Sequence, residues 1–156
     1  MAYSPLRAGE VVALSGAVLA PADGVAIPAL TLVACSADAC AAIPFQVDER
    51  SADGRRVLDV SNDALRDEPP QVLDLNDELL FLATDAGLRV PRSRLPPAAR
   101  AFECRVTDPI THRHRWVYLL VDANTPLSTE TYVHYDPQQD RVHTSEVTMG
   151  FTDGVP

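Results

Sequence analysis

Thirteen prolines are distributed through 156 residues, with only seven glycines, and they leave no room for a long amphipathic helix. A proline inside a helix removes a backbone hydrogen bond, and its ring clashes with the preceding turn. The chain therefore reads as short extended segments separated by rigid turns. A hydrophobic fraction of 46% and a charged fraction of 22% are those of an ordinary globular chain. The length suits one domain with a core of its own.

Strand-like stretches recur along the chain. Residues 11–19 are apolar and end at the turn signal Pro21-Ala22-Asp23-Gly24. Residues 29–35 and 43–49 flank a short cysteine-bounded loop and predict a hairpin. Asp53-Gly54 marks a tight turn, with a short strand expected over 56–60. Residues 61–75 form a polar excursion, with one helical turn expected over 63–66, before a strand over 78–84. Residues 90–99 hold three prolines and read as a rigid surface connection. Residues 101–107 alternate, whereas 115–122 are almost continuously apolar, as in a strand buried on both faces. A last hairpin is expected from 131–135 and 141–147. The sum is an all-β, sandwich-like fold of antiparallel sheets with about eight or nine short strands and little helix. The chain ends on turn residues after Met149 with no closing element, so a single β domain over 1–156 is expected as the N-terminal module of a longer protein.

A formal net charge of −9 argues against nucleic acid, whose phosphates would be repelled. All thirteen basic residues are arginine, and they are scattered, which reads as coding bias more than as an anion site. No stretch reaches the roughly 18–20 apolar residues that a helix needs to cross a bilayer. The apolar run near the N-terminus is interrupted by Ser15-Gly16, unlike a secretory signal, so the compartment is not settled there. Cys35 and Cys40 bracket Ser-Ala-Asp-Ala, and two cysteines at the ends of one turn can meet across neighbouring strands. A disulfide there suits the periplasm or the extracellular space; the alternative is two free thiols in a cytosolic chain. Cys104 lies between Phe102 and Val106 on an alternating segment and reads as a small core residue.

The segment Ile43-Pro44-Phe45-Gln46-Val47-Asp48-Glu49, an Asp-Gly turn, and then Leu73-Asp74-Leu75-Asn76-Asp77-Glu78-Leu79-Leu80-Phe81 form a paired signature. It resembles a pattern in uncharacterised bacterial exported proteins. Val106-Thr107-Asp108-Pro109 and Trp116-Val117-Tyr118-Leu119 look like its continuation, so the resemblance covers most of the chain from about residue 29. It is also loosely similar to a β-supersandwich family associated with carbohydrate metabolism, which carries a Pro-x-Gln-Val-Asp segment before an Asp-Glu-Leu-x-Phe strand. Both resemblances imply architecture, the first also implies export, and neither supplies an established activity.

Three chemistries compete for the polar cluster Gln46, Asp48, Glu49, Asn76, Asp77 and Glu78. Alternation sets Gln46 and Asp48 on one strand face and Phe45 and Val47 on the other, which suits an internal hydrogen-bond network. Calcium takes six to eight oxygen ligands, and Asp48, Asp53, Asp74 and Asp77 could supply several. In the looser relatives this loop can carry an Asp-x-Asp-x-Asp-Gly pattern; here Arg50 and Ala52 stand where two ligands would be. Asp48 with Asp77, or Glu49 with Glu78, could also form an acid/base pair for glycoside hydrolysis.

Trp116 and Tyr118 share a strand face and could stack against a sugar, although core packing explains them as well. His112 and His114 have a spacing that suits one strand face but are expected in a loop. His134 and His143 are expected to pair across the last hairpin. No nucleophile elbow or glycine-rich phosphate loop occurs. The function expected is a non-catalytic structural or ligand-binding module of an exported bacterial protein, with no cofactor unless calcium binds. The alternative is a carbohydrate-active or carbohydrate-binding module with an acidic calcium or sugar site. The expected partners are a following domain of the same chain or a carbohydrate.

Overall fold

A computed structural model of the chain describes residues 9–57, 69–144 and 147–150. It is all-β: twelve short strands among these residues pair antiparallel throughout, and the helical segments are three-residue 3-10 turns. No helix among them is long and apolar enough to cross a membrane.

Two sheets make the sandwich. The first has the order β1 (Val11–Ser15), β7 (Glu78–Leu82), β5 (Gln46–Asp48). The second has the order β4 (Cys40–Ala42), β3 (Leu30–Cys35), β9 (His114–Val121), β8 (Arg100–Thr107). A two-stranded pair, β2 (Val25–Ala26) with β6 (Val72–Leu73), closes one end. The last residues form a meander of β10 (His134–Asp136), β11 (Arg141–His143) and β12 (Thr148–Gly150).

Strand periodicity explains where the core lies. Leu79 and Phe81 of β7 meet Leu30 and Leu32 of β3 and Val117, Leu119 and Val121 of β9, all buried in one cluster between the sheets. The alternate residues of β9 do not face solvent. Tyr118 and Leu120 join Val33, Cys35 and Val90 in a second cluster on the far side of the four-stranded sheet. The proline-rich stretch after Gly87 covers that face through Val90 and half-buried Leu95. The continuous apolar run of β9 is thus a strand buried on both faces, although the sheet is antiparallel.

Several expectations are corrected. The hairpin partner of β3 is β4, not residues 43–49, and it ends with Cys35 directly opposite Cys40. The chain then leaves the four-stranded sheet, and Gln46–Asp48 pairs with β7 in the other one. The physical reason is the short Ser36–Ala39 turn. The Ser36 amide bonds the Ala39 carbonyl at 2.8 Å, leaving no slack to bring residue 43 back beside Cys35. The first strand stops at Ser15, because the Val18 and Leu19 amides turn back onto its carbonyl. Among the described residues there are twelve strands where eight or nine were expected, the additions being two- and three-residue pairings. Arg56 makes an isolated bridge to Arg50, while residues 58–60, the expected turn at 63–66 and residues 151–156 lie outside the described residues.

Candidate functional site

The paired signature converges at one end of the three-stranded sheet. Asp77, fully buried, is its centre. One carboxylate oxygen accepts the Arg50 amide at 2.9 Å, and the other accepts the Asp74 amide at 2.9 Å. Its own carbonyl accepts the Gly16 amide at 2.7 Å. A single side chain therefore ties the loop leaving β5 to the turn entering β7, while its backbone holds the end of β1. Burial raises the pKa of this carboxyl above the ordinary aspartate range. The two amide bonds pull the other way, and Asp74 and Glu49 add to the rise.

The neighbouring residues complete the network. The Asp74 carboxylate accepts the Asn76 amide at 2.9 Å, an Asx turn, while the Asn76 side-chain amide donates to the Arg50 carbonyl at 3.0 Å. Glu78 receives the Arg50 guanidinium at 2.5 Å, and this partnership raises the arginine's pKa. In the strand register Asp48 stands opposite Glu78. Asp48 is buried, takes the Gln46 side-chain amide on one oxygen, and has the Arg56 guanidinium 2.8 Å from the other. Glu49 accepts the backbone amide of Gln71, which sits at φ 60°, and its side-chain amide at 3.3 Å. Asp53 closes its own turn with the Ser51 hydroxyl and the Arg55 guanidinium, which hold its pKa low.

Gly16 is required where the end of β1 crosses this network. A Cβ there would fall 1.8 Å from the Asp74 carbonyl oxygen.

The six polar residues of the signature are thus brought together, but the expected calcium set is not. Asp48, Asp53, Asp74 and Asp77 turn to four separate partners: an arginine, a serine–arginine turn, an Asx turn and two backbone amides. Among the described residues no three His, Cys, Asp or Glu side chains gather in a way that could hold a metal ion. The acid/base pairs Asp48/Asp77 and Glu49/Glu78 are not the pairs that the register forms. Asp77 has no oxygen facing outward.

The stacking pair lies elsewhere. Tyr118 is buried on the far face of the four-stranded sheet, where its hydroxyl accepts the Val90 amide at 2.7 Å. Trp116 is half-buried beside it, edge-on to His114 at 6.2 Å. The sandwich core therefore separates both aromatics from Asp77 and Glu78. His112 occupies a loop at φ 54°, whereas His114 is part of β9 and bonds Thr107 at 3.0 Å, so the two do not share a strand face. His134 and His143 do face each other across the last hairpin.

Arg50, Arg56 and Gln71 complete the site and were not singled out by the sequence as site residues. Arg50 was legible only as a break in a calcium-loop pattern, and Gln71 carries no signal in sequence. Gln46, Asp48, Glu49, Arg56 and Gln71 also line a small polar cavity of about 290 Å³ at the edge of β5. Cys35 and Cys40 are disulfide-bonded, and Cys104 is a free, buried thiol. No family model matches the chain, and neither curated proteins nor solved structures yield a significant match.

Proposed function

We propose that the chain is a non-catalytic β-sandwich module of an exported bacterial protein, with a structural or ligand-binding role, in which the acidic signature works as an internal lock. The observation that carries this reading is Asp77, whose two carboxylate oxygens are both engaged by backbone amides. A general acid, base or nucleophile needs an atom within reach of a substrate, and this carboxylate presents none. Asp48, Glu49 and Glu78 are likewise engaged by side chains or amides of the same sheet end.

The Cys35–Cys40 disulfide supports export, because such bonds persist in oxidising compartments and are rare in the cytosol. The resemblance of the signature to exported bacterial β domains supports the same reading, with a following domain of the same chain as partner. Intact-mass measurement without reductant, on protein recovered from its native host, tests it. The disulfide-bonded mass in the envelope or medium fraction is the expected result, and two free thiols in the cytosolic fraction would refute it.

A second reading, carbohydrate binding, is favoured by the polar cavity at the edge of β5. Carboxylate, amide and guanidinium groups there could exchange their present partners for sugar hydroxyls. Under this reading, a panel of oligosaccharides raises the melting temperature of the native chain but not that of Arg56→Ala. Equal responses of the two proteins would exclude the cavity as the site.

A further inference from the structure

The connection from β9 to β10 is tied to the sandwich near its two ends. The Asn124 amide bonds the Pro97 carbonyl at 3.0 Å, and the Tyr132 hydroxyl donates to the Asp85 carboxylate in the turn after β7. Between these ties, residues 125–131 make no backbone–backbone hydrogen bond among the described residues. Backbone amides and carbonyls without a partner in the chain are left to water or to a ligand.

Two apolar pockets flank this connection at Glu130. One, of about 290 Å³, opens where the chain crosses between the sheets, among Ile27, Ile43 and Leu127. The other, of about 410 Å³, lies over Leu80 and Leu82 on the outer face of the β1–β7–β5 sheet, beside Tyr132 and Val133. Pro44, Phe45 and Glu130 line both. The floor is an unsealed rim of the core, because Ile27, Ile43 and Phe45 pack against the main cluster yet stay half-buried. At the margin Leu127 is 55% exposed and Val133 58%. Apolar surface gathered in this way and bordered by polar groups marks an interaction site.

Charge selects the occupant. Among the described residues Glu130 is the only charged side chain lining either pocket, and its carboxylate has no hydrogen-bond or ion-pair partner. Elsewhere arginines take the carboxylates: Glu78 pairs with Arg50, Asp48 with Arg56 and Glu103 with Arg89. Asp85, held by Tyr132, adds a second negative charge nearby. A carboxylate left open on a chain of net charge −9 turns away a second copy or an acidic partner and attracts a basic one.

We infer that this face binds an extended basic peptide, with an apolar side chain in each pocket and a lysine or arginine between them on Glu130. The pockets supply the anchors, the carboxylate sets the charge, and the unpaired backbone of the connection offers main-chain hydrogen bonds. A small cation would leave one pocket and those backbone groups unused. Asp77 lines neither pocket, so the internal lock stands whatever this face binds.

Fluorescence anisotropy with labelled synthetic peptides tests the inference. Each is a serine chain with a central lysine and a leucine two or three positions to either side, and a matched set carries glutamate at the centre. The native chain is expected to bind the lysine set saturably and the glutamate set at least about tenfold more weakly. Glu130→Lys should reverse that preference. Leu127→Ser and Val133→Ser, both at exposed positions, should each weaken lysine-peptide binding about three- to tenfold with unchanged circular dichroism. Arg56 lines neither pocket, so Arg56→Ala should bind as the native chain does. Absence of saturable binding, equal affinity for the two sets, or affinity lost in Arg56→Ala but untouched by both serine variants would each overturn the inference. So would a native dimer in sedimentation velocity that the serine variants abolish, since a second copy would then hold the face.

Discussion

Replacing Asp77 by asparagine removes one charge and one acceptor while keeping shape. The carboxylate accepts two backbone amides at 2.9 Å each; a carboxamide can accept only through its single oxygen. The other amide, from Arg50 or Asp74, then faces a buried NH2 group, donor against donor. A net hydrogen bond to a charged acceptor contributes about 1.5–3 kcal/mol, and a buried unsatisfied donor costs about 1–3 kcal/mol. Because the surviving bond is retained in weaker, neutral form, we expect a loss of about 2–4 kcal/mol at neutral pH. In a chain of this size that corresponds to a fall in melting temperature of about 5–15 °C.

The pH dependence sharpens the test. Burial raises the folded pKa of Asp77, so between its ordinary and raised values the native state holds more protons than the unfolded one. Stability from this group is then full below the unfolded pKa and falls as pH rises through the folded pKa. The wild-type advantage over Asp77→Asn should therefore widen as pH falls through that window. Urea denaturation followed by circular dichroism at several pH values measures both effects. A variant within about 0.5 kcal/mol of wild type at neutral pH would refute the lock. A gap that narrows on acidification would show that the two amides outweigh burial.

Other positions test the frame around it. Gly16→Ala places a methyl 1.8 Å from the Asp74 carbonyl oxygen, a backbone atom that cannot rotate away, and should cost at least about 1–3 kcal/mol in the same denaturation assay. Tyr118→Phe leaves the buried Val90 amide without its acceptor, with an expected loss of about 1–3 kcal/mol and local loss of hydrogen-exchange protection at Val90. The Cys104 thiol is pushed up to about 11 by burial, so iodoacetamide at mildly alkaline pH should label it only after denaturant is added. Removing the disulfide by Cys35→Ser with Cys40→Ser should cost about 2 kcal/mol, the value for so short a loop, read as a shift of the urea midpoint.

Much of the fold was legible because it rests on local chemistry. The β9 run, the alternation of residues 101–107 and the cysteine-bounded turn each carry their geometry in neighbouring residues. What failed was long-range pairing. Residues 43–49 look like the natural partner of β3 because Ile43, Phe45 and Val47 are stronger strand formers than the alanines of Cys40–Ala42, yet turn length and the disulfide favour the alanine-rich strand. Strands of two or three residues, such as β2 and β6, are too short to show a period. At the site, the pairing of Asp77 with the Arg50 amide, 27 positions away, is a contact between backbone and side chain, and such partners leave no trace in residue type. The signature residues themselves were legible because charge beside strong strand formers is unusual. Their partners Arg50 and Gln71 were not.

The sheet with two buried faces has a dynamic consequence. Its inner face is held against another sheet by the large buried cluster that includes Leu30, Leu32, Leu79, Phe81, Val117 and Leu119. Its outer face is held by an irregular, proline-rich cover that relies on Val90, Leu95 and the Tyr118 hydroxyl. Two layers anchored so unequally should not open together. The cover can peel away at a free energy well below that of global unfolding, exposing Tyr118 and Leu120 while the inner core stays closed. The domain would then have two thresholds, a low one for shedding its coat and a high one for losing its fold. A protease cutting near residue 95 would sense only the first.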